Sequence, residues 1–144
     1  LRHPLVVSPI KEFTSGTFAE VLDDPSASPK DIRRVVLCSG KIYYDLIEAQ
    51  QKKKVKDTAI IRIEQLHPFP EKQLKSILKR YKDTKLVWAQ EEPANMGCLS
   101  YILRMMSKYE LEIVSRKASA SPATGYSKVH KVEQEKIVSK ALEI

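Results

Sequence analysis

Apolar residues along this chain alternate between two spacings. Arg34-Val35-Val36-Leu37-Cys38, Thr58-Ala59-Ile60-Ile61-Arg62-Ile63 and Lys85-Leu86-Val87-Trp88-Ala89-Gln90 are short apolar runs, each halted by turn or breaker residues, and they read as strands. Between them the spacing becomes helical. Ile42, Tyr43, Leu46 and Ile47 share one side of a helix; Leu74, Ile77, Leu78 and Tyr81 fall at i, i+3, i+4 and i+7. Leu99, Ile102, Leu103 and Met106 repeat that spacing, and a last helix over 130–143 turns Ile137, Val138, Ala141 and Leu142 inward. Glu110–Ser115 is a weaker strand. Strands alternating with helices predict parallel pairing through right-handed crossovers, hence an α/β, three-layer domain with a mostly parallel sheet and helices on both faces. Residues 1–31 hold four of the eight prolines and read as an extended lead-in segment, with Phe18–Leu22 its one candidate strand. Residues 32–144 form the α/β domain proper.

The chain has 144 residues, enough for one core-bearing domain. Its four glycines (16, 40, 97, 125) exclude a Gly-x-Gly-x-x-Gly dinucleotide fingerprint and a phosphate loop before Lys41. The Gly-Asp-Gly with which thiamine diphosphate enzymes hold magnesium is missing too. The net charge is +7, but the excess is spread thinly: ten basic against eight acidic residues over 1–57, and fifteen against ten over 58–144. The densest run, Lys52-Lys53-Lys54 with Lys56, ends a predicted helix, where cations complement the dipole. No aromatic-rich strand accompanies it, so a nucleic-acid partner is not expected. Cys38 and Cys98 have no metal or redox spacing and read as reduced, buried thiols. No apolar run reaches membrane length, and nothing reads as a signal peptide or lipidation motif. The opening Leu1-Arg2-His3-Pro4 reads as the start of a fragment or processed product.

In an open parallel sheet, ligands gather at the carboxyl ends of the strands. Ser39-Gly40-Lys41, Glu64-Gln65, Gln90-Glu91-Glu92 and Arg116-Lys117 should meet there. Ser39, Gly40 and Lys41 open a helix and could hold a phosphate or carboxylate, with Arg116 and Lys117 as the opposing jaw. The simpler reading is an ordinary helix cap, a solvated lysine and basic residues answering Glu91 and Glu92. Those two glutamates point to opposite faces of an extended strand, so they are no acid–base pair; one should contact another subunit or domain. Tyr43 and Tyr44 diverge by about 100° on a helix, so Tyr43 can pack on the sheet while Tyr44 faces a neighbour; Trp88 is a further anchor. His3, His67 and His130 lack ligand spacing or a signalled nucleophile. No catalytic centre and no metal site follow from the residues. A self-standing binding module for an anionic metabolite or nucleic acid is the alternative.

Five phrases occur in order: Leu1-Arg2-His3-Pro4; Cys38-Ser39-Gly40-Lys41-Ile42-Tyr43-Tyr44-Asp45-Leu46; Arg62-Ile63-Glu64-Gln65-Leu66 with Pro68-Phe69-Pro70; Gln90-Glu91-Glu92-Pro93-Ala94-Asn95-Met96-Gly97; and Ser119-Ala120-Ser121-Pro122-Ala123-Thr124-Gly125-Tyr126. Together they resemble the C-terminal domain of the thiamine-diphosphate-dependent 2-oxoglutarate dehydrogenases, across essentially the whole chain. The resemblance implies a transketolase C-terminal-domain-like fold. It implies a full-length homodimeric enzyme of the citric acid cycle that decarboxylates 2-oxoglutarate with thiamine diphosphate and magnesium. The succinyl group would pass to a lipoyl-lysine of the succinyltransferase component. In that family the cofactor residues and catalytic histidines belong to the preceding domains, so this domain is expected to bind no cofactor itself. Its expected role is structural and dimer-supporting, with Ser39, Gly40, Lys41, Arg116 and Lys117 as candidate effector-binding residues and Tyr44, Glu91 and Glu92 as candidate interface residues. The expected compartment is the bacterial cytoplasm, with the mitochondrial matrix as alternative.

Overall fold

The computed structural model describes residues 3–144; Leu1 and Arg2, which open the first of the five phrases, lie outside them. The elements run α1 (Ile10–Thr14), β1 (Val21–Leu22), β2 (Arg34–Cys38), α2 (Ile42–Lys53), β3 (Thr58–Ile63), α3 (Glu71–Leu78), β4 (Lys85–Pro93), α4 (Leu99–Met105), β5 (Leu111–Arg116) and α5 (Ser127–Leu142). They build one five-stranded sheet in the order β1-β3-β2-β4-β5. β2 pairs in parallel with both β3 and β4, and β4 pairs in parallel with β5. Only β1 runs antiparallel, against β3.

Side chains alternate across the sheet and sort into two cores. Val35, Leu37, Ala59, Ile61, Ile63 and Trp88 meet Leu74 and Leu78 of α3, Tyr81 just beyond it, Leu99 and Ile102 of α4, and Met106. Val36, Cys38, Ile60, Val87, Ala89 and Val114 meet Ile42 and Leu46 of α2 and Ile137, Val138, Ala141 and Leu142 of α5. This is the three-layer arrangement the alternating pattern demands. Fully burying a large aliphatic side chain contributes about 1.5–3 kcal/mol, against about 0–1 kcal/mol for an exposed ion pair. The two cores therefore hold the fold, and edge contacts only shape it.

Several boundaries differ from the sequence reading. The lead-in segment contains a short helix, α1, as well as a strand, and that strand shrinks to Val21–Leu22. Beyond it Asp24 continues the work of pairing with β3: its Oδ2 accepts the Ile60 N–H at 3.1 Å, while Oδ1 accepts from the Ser26 N–H and hydroxyl. β4 runs on to Pro93, so Glu91 and Glu92 are strand residues. α5 starts at Ser127, which puts His130 inside its first turn. Leu103 is exposed, because α4 turns only Leu99 and Ile102 into the core, followed by Met106. Cys98 is half-buried where full burial was expected.

Candidate functional site

The chain leaves β2 toward β3 and leaves β4 toward β5, so the order of connection reverses between β2 and β4. That is where open α/β sheets place a ligand crevice. Here the crevice mouth is bridged. Gly40 has φ +75°, with open space where a Cβ would lie, and this left-handed residue turns the chain from β2 into α2. Lys41 follows at the N-cap position of α2, and no side chain caps this helix end, Ser39 included. The Lys41 Nζ lies 2.9 Å from Asp45 Oδ2 and 3.6 Å from Glu91 Oε2. Gln134 of α5 donates to the same Asp45 oxygen at 2.8 Å. Burial pulls the Lys41 pKa down, but the hydrogen bond to Asp45 and the Glu91 charge outweigh it, and the net shift is upward. Glu91 is half-buried and Glu92 exposed, in line with their opposite orientations.

At the end of β5, Arg116 keeps only 9% of its side chain exposed. One guanidinium nitrogen sits 2.7 Å from His130 Nδ1, and Nε lies 3.4 Å from Glu133 Oε2 without a hydrogen bond of its own. Thr124 donates to that Glu133 oxygen at 2.6 Å. Arg116, Lys117, Ser119, Ser121 and Thr124 line a cavity of about 210 Å³. Lys41 instead borders a groove of about 670 Å³ between α2 and α5, together with His130 and Lys131. The structure thus brings Arg116 and Lys117 into one pocket and Lys41 into another; Ser39 and Gly40 line neither.

At the end of β3, Tyr43 packs against the core under α2 as expected, whereas Tyr44 does not simply face away. Both rings face Arg62, whose guanidinium carbon lies 4.5 Å and 5.4 Å from their centroids, and Arg62 donates to the Tyr44 hydroxyl at 2.8 Å. The two rings meet edge to face at 5.3 Å, and the Arg62 cation is attracted to both. The His3 ring lies tilted against that of Tyr44, with centroids 5.8 Å apart. The nearby Cys38 thiol is fully buried, and burial pushes its pKa up to about 12; it is no nucleophile at neutral pH.

Gln90 organises the strand-end loop. Its side-chain N–H groups donate to the carbonyls of Met96 at 2.9 Å and Pro93 at 3.2 Å, while its Oε1 accepts from the Trp88 indole at 3.0 Å. Asn95 then clasps Ser119 through two hydrogen bonds, of 2.9 and 3.0 Å. The loop after β4 and the loop after β5 are tied together by these contacts.

The family model that matches this chain, described as 2-oxoglutarate dehydrogenase C-terminal, covers residues 7–142. The chain belongs to the 2-oxoglutarate dehydrogenase C-terminal family. It is 44% identical to the oxoglutarate dehydrogenase of Buchnera aphidicola over 100% of its own length. It is 45% identical over 99% to the 2-oxoglutarate dehydrogenase E1 component of Haemophilus influenzae, and 38% over 97% to the mitochondrial 2-oxoglutarate dehydrogenase of Caenorhabditis elegans. It spans 15–16% of the length of these relatives.

In this 2-oxoglutarate dehydrogenase C-terminal domain, three of the phrases that carried the resemblance are mechanical parts of the strand-end edge. Lys41 joins the 38–46 phrase to Glu91 of the 90–97 phrase, and Asn95 joins the latter to Ser119 of the 119–126 phrase. Among the described residues, no group of three His, Cys, Asp or Glu is placed to hold a metal ion, and no helix is long and apolar enough to cross a membrane. Sequence reasoning missed Arg34. It is fully buried on the central strand and donates from Nε to the Ala141 carbonyl at 2.8 Å and from Nη1 to Glu143 at 2.7 Å; Nη2 is 3.0 Å from Glu112. It thereby pins the carboxyl end of α5 to the sheet. The signal was an arginine heading an apolar run.

Proposed function

We propose that this chain is the C-terminal domain of a 2-oxoglutarate dehydrogenase E1 component and acts as a structural, dimer-supporting part of that enzyme. The observation that carries the reading is the whole-chain match, at 38–45% identity, to relatives bearing that name. The complete polypeptide would oxidatively decarboxylate 2-oxoglutarate and pass the succinyl group to a lipoyl-lysine of the succinyltransferase component, as a homodimer in bacterial cytoplasm or mitochondrial matrix. The architecture is of the transketolase C-terminal type, with 32–144 as the folding unit and 1–31 as its lead-in.

Thiamine diphosphate with magnesium would supply the carbanion chemistry, but the residues here do not fit that group. Asp45 and Glu91 are committed to Lys41, and Glu133 to Arg116 and Thr124. The cofactor residues are assigned to the preceding domains, and no step runs through this one. The test is reduction of ferricyanide by the complete polypeptide with thiamine diphosphate and magnesium. Turnover with 2-oxoglutarate and little with pyruvate is expected; no turnover, or a preference for pyruvate, overturns the reading.

A second reading, effector binding at the strand-end edge, is favoured by the buried Arg116 Nε that lacks a hydrogen bond beside Lys117 in their small cavity. Tyr44, Glu91 and Glu92 would then face a neighbouring domain or subunit. Calorimetric titration of the complete polypeptide with acetyl-CoA and AMP tests it. Heat that is lost in Lys41→Ala plus Arg116→Ala supports effector binding at this edge; no heat, or heat unchanged in that variant, excludes it.

A further inference from the structure

The lead-in segment presents an apolar surface that the rest of the described chain leaves uncovered. Val7, Ile10, Phe13 and Phe18 are 78%, 81%, 80% and 69% exposed, and Leu5 and Val6 are also exposed. α1 buries no residue at all. Ile10 and Phe13 stand three positions apart and so share one side of it. A five-residue helix is not stable in water by itself, yet the arm has a defined shape: the Glu12 N–H donates to the Pro9 carbonyl, and the Ser15 N–H and hydroxyl donate to the Lys11 carbonyl. Single exposed apolar residues need no explanation. Six within fourteen positions are a concentration of exposed apolar side chains of the kind that marks a contact surface.

We propose that this arm, residues 5–18, docks onto the part of the same polypeptide that precedes Leu1 in full-length members of the family. The inference rests on the reading of this chain as the C-terminal domain of a longer enzyme. Three observations choose the occupant. The chain spans only 16% of its bacterial relatives, so most of such a polypeptide lies outside this domain. The match to the C-terminal family model starts at residue 7, within the arm, so in a full-length member the arm would be tethered directly to the preceding part, at a local concentration on the order of millimolar that a second copy lacks. Between Leu5 and Phe18 the only charges are Lys11 and Glu12, one of each sign, so the patch suits an apolar domain surface and offers nothing to an anionic partner.

The test places the photocrosslinker p-benzoylphenylalanine at Phe13 of the complete polypeptide and follows amide exchange over residues 5–18. The expected crosslink joins Phe13 to a peptide preceding Leu1 while the denatured chain keeps its monomer mass. Amides of the arm should exchange at least about tenfold more slowly than unprotected peptide, and I10D/F13D should abolish that protection while β2–β5 stay protected. Crosslinks confined to residues 20–144, a product of twice the monomer mass, or unprotected amides in the native chain would each overturn the proposal. A chain that turns over 2-oxoglutarate with an unprotected arm defeats this inference alone. A chain without turnover whose arm crosslinks upstream defeats only the enzymatic reading.

Discussion

Arg34 is the most heavily committed polar side chain in the fold. Its charge is wholly buried, and its partners are the last carbonyls of α5 together with Glu112 and Glu143. Removing it leaves the buried Ala141 carbonyl without its donor, which costs about 1–3 kcal/mol, while Glu112 and Glu143, 39% and 35% exposed, regain water. Arg34→Met should therefore lower the unfolding free energy from urea titration by that order, and Arg34→Lys by less, because an ammonium keeps the charge without the fork. A loss below about 1 kcal/mol for Arg34→Met would show that α5 is held by its apolar face alone. Two glycines make a second comparison. Gly40→Ala meets only the left-handed backbone penalty, about 1–2 kcal/mol, since nothing lies within 4 Å of its Cβ position. Gly97→Ala, at φ +68°, must also push aside the Gln90 amide and Glu92 at 3.2 Å. Gly97→Ala is expected to lower the urea midpoint further; equal losses would contradict the Gln90-centred loop.

At the amino ends of the strands, Arg33 bonds both Asp57 and Glu143. Its hydrogen bonds hold both carboxyls below their ordinary values. A carboxylate whose folded pKa is depressed stabilises the fold above its unfolded pKa, about 4, and loses that contribution as pH falls through the folded value. Unfolding free energy should thus decline below about pH 5, and Arg33→Gln should flatten the decline. Parallel pH profiles for the two proteins would contradict it. The elements themselves differ in how plainly the sequence announces them. β2, β3 and β4 are written as apolar runs because both faces are buried, and α3 and α4 as 3–4 spacings because one face is. β1 is shorter than the expected Phe18–Leu22 because two residues suffice once β3 offers a free edge. The start of α5 escapes notice because Val129 faces outward, which leaves no inward apolar position to mark the first turn. For the same reason the meeting of Lys41 with Glu91 follows from strand order, whereas the turning of Arg116 to His130 and Glu133 depends on how α5 lies over β5.

Taken whole, the molecule is two cores on one sheet, with a polar edge whose charged groups mostly answer one another and an arm whose apolar groups answer nothing within the domain. Such a body suits a part that positions its neighbours. The family assignment and this division of labour lead to the same measurement: turnover of 2-oxoglutarate by the complete polypeptide, by the polypeptide lacking these 144 residues, and by these residues alone. The complete chain is expected to be active, the shortened chain to lose both turnover and its dimeric sedimentation, and the isolated domain to be inert. Full turnover by the shortened chain, or decarboxylation by the isolated domain, would contradict the assignment of this domain as a structural support for chemistry performed elsewhere.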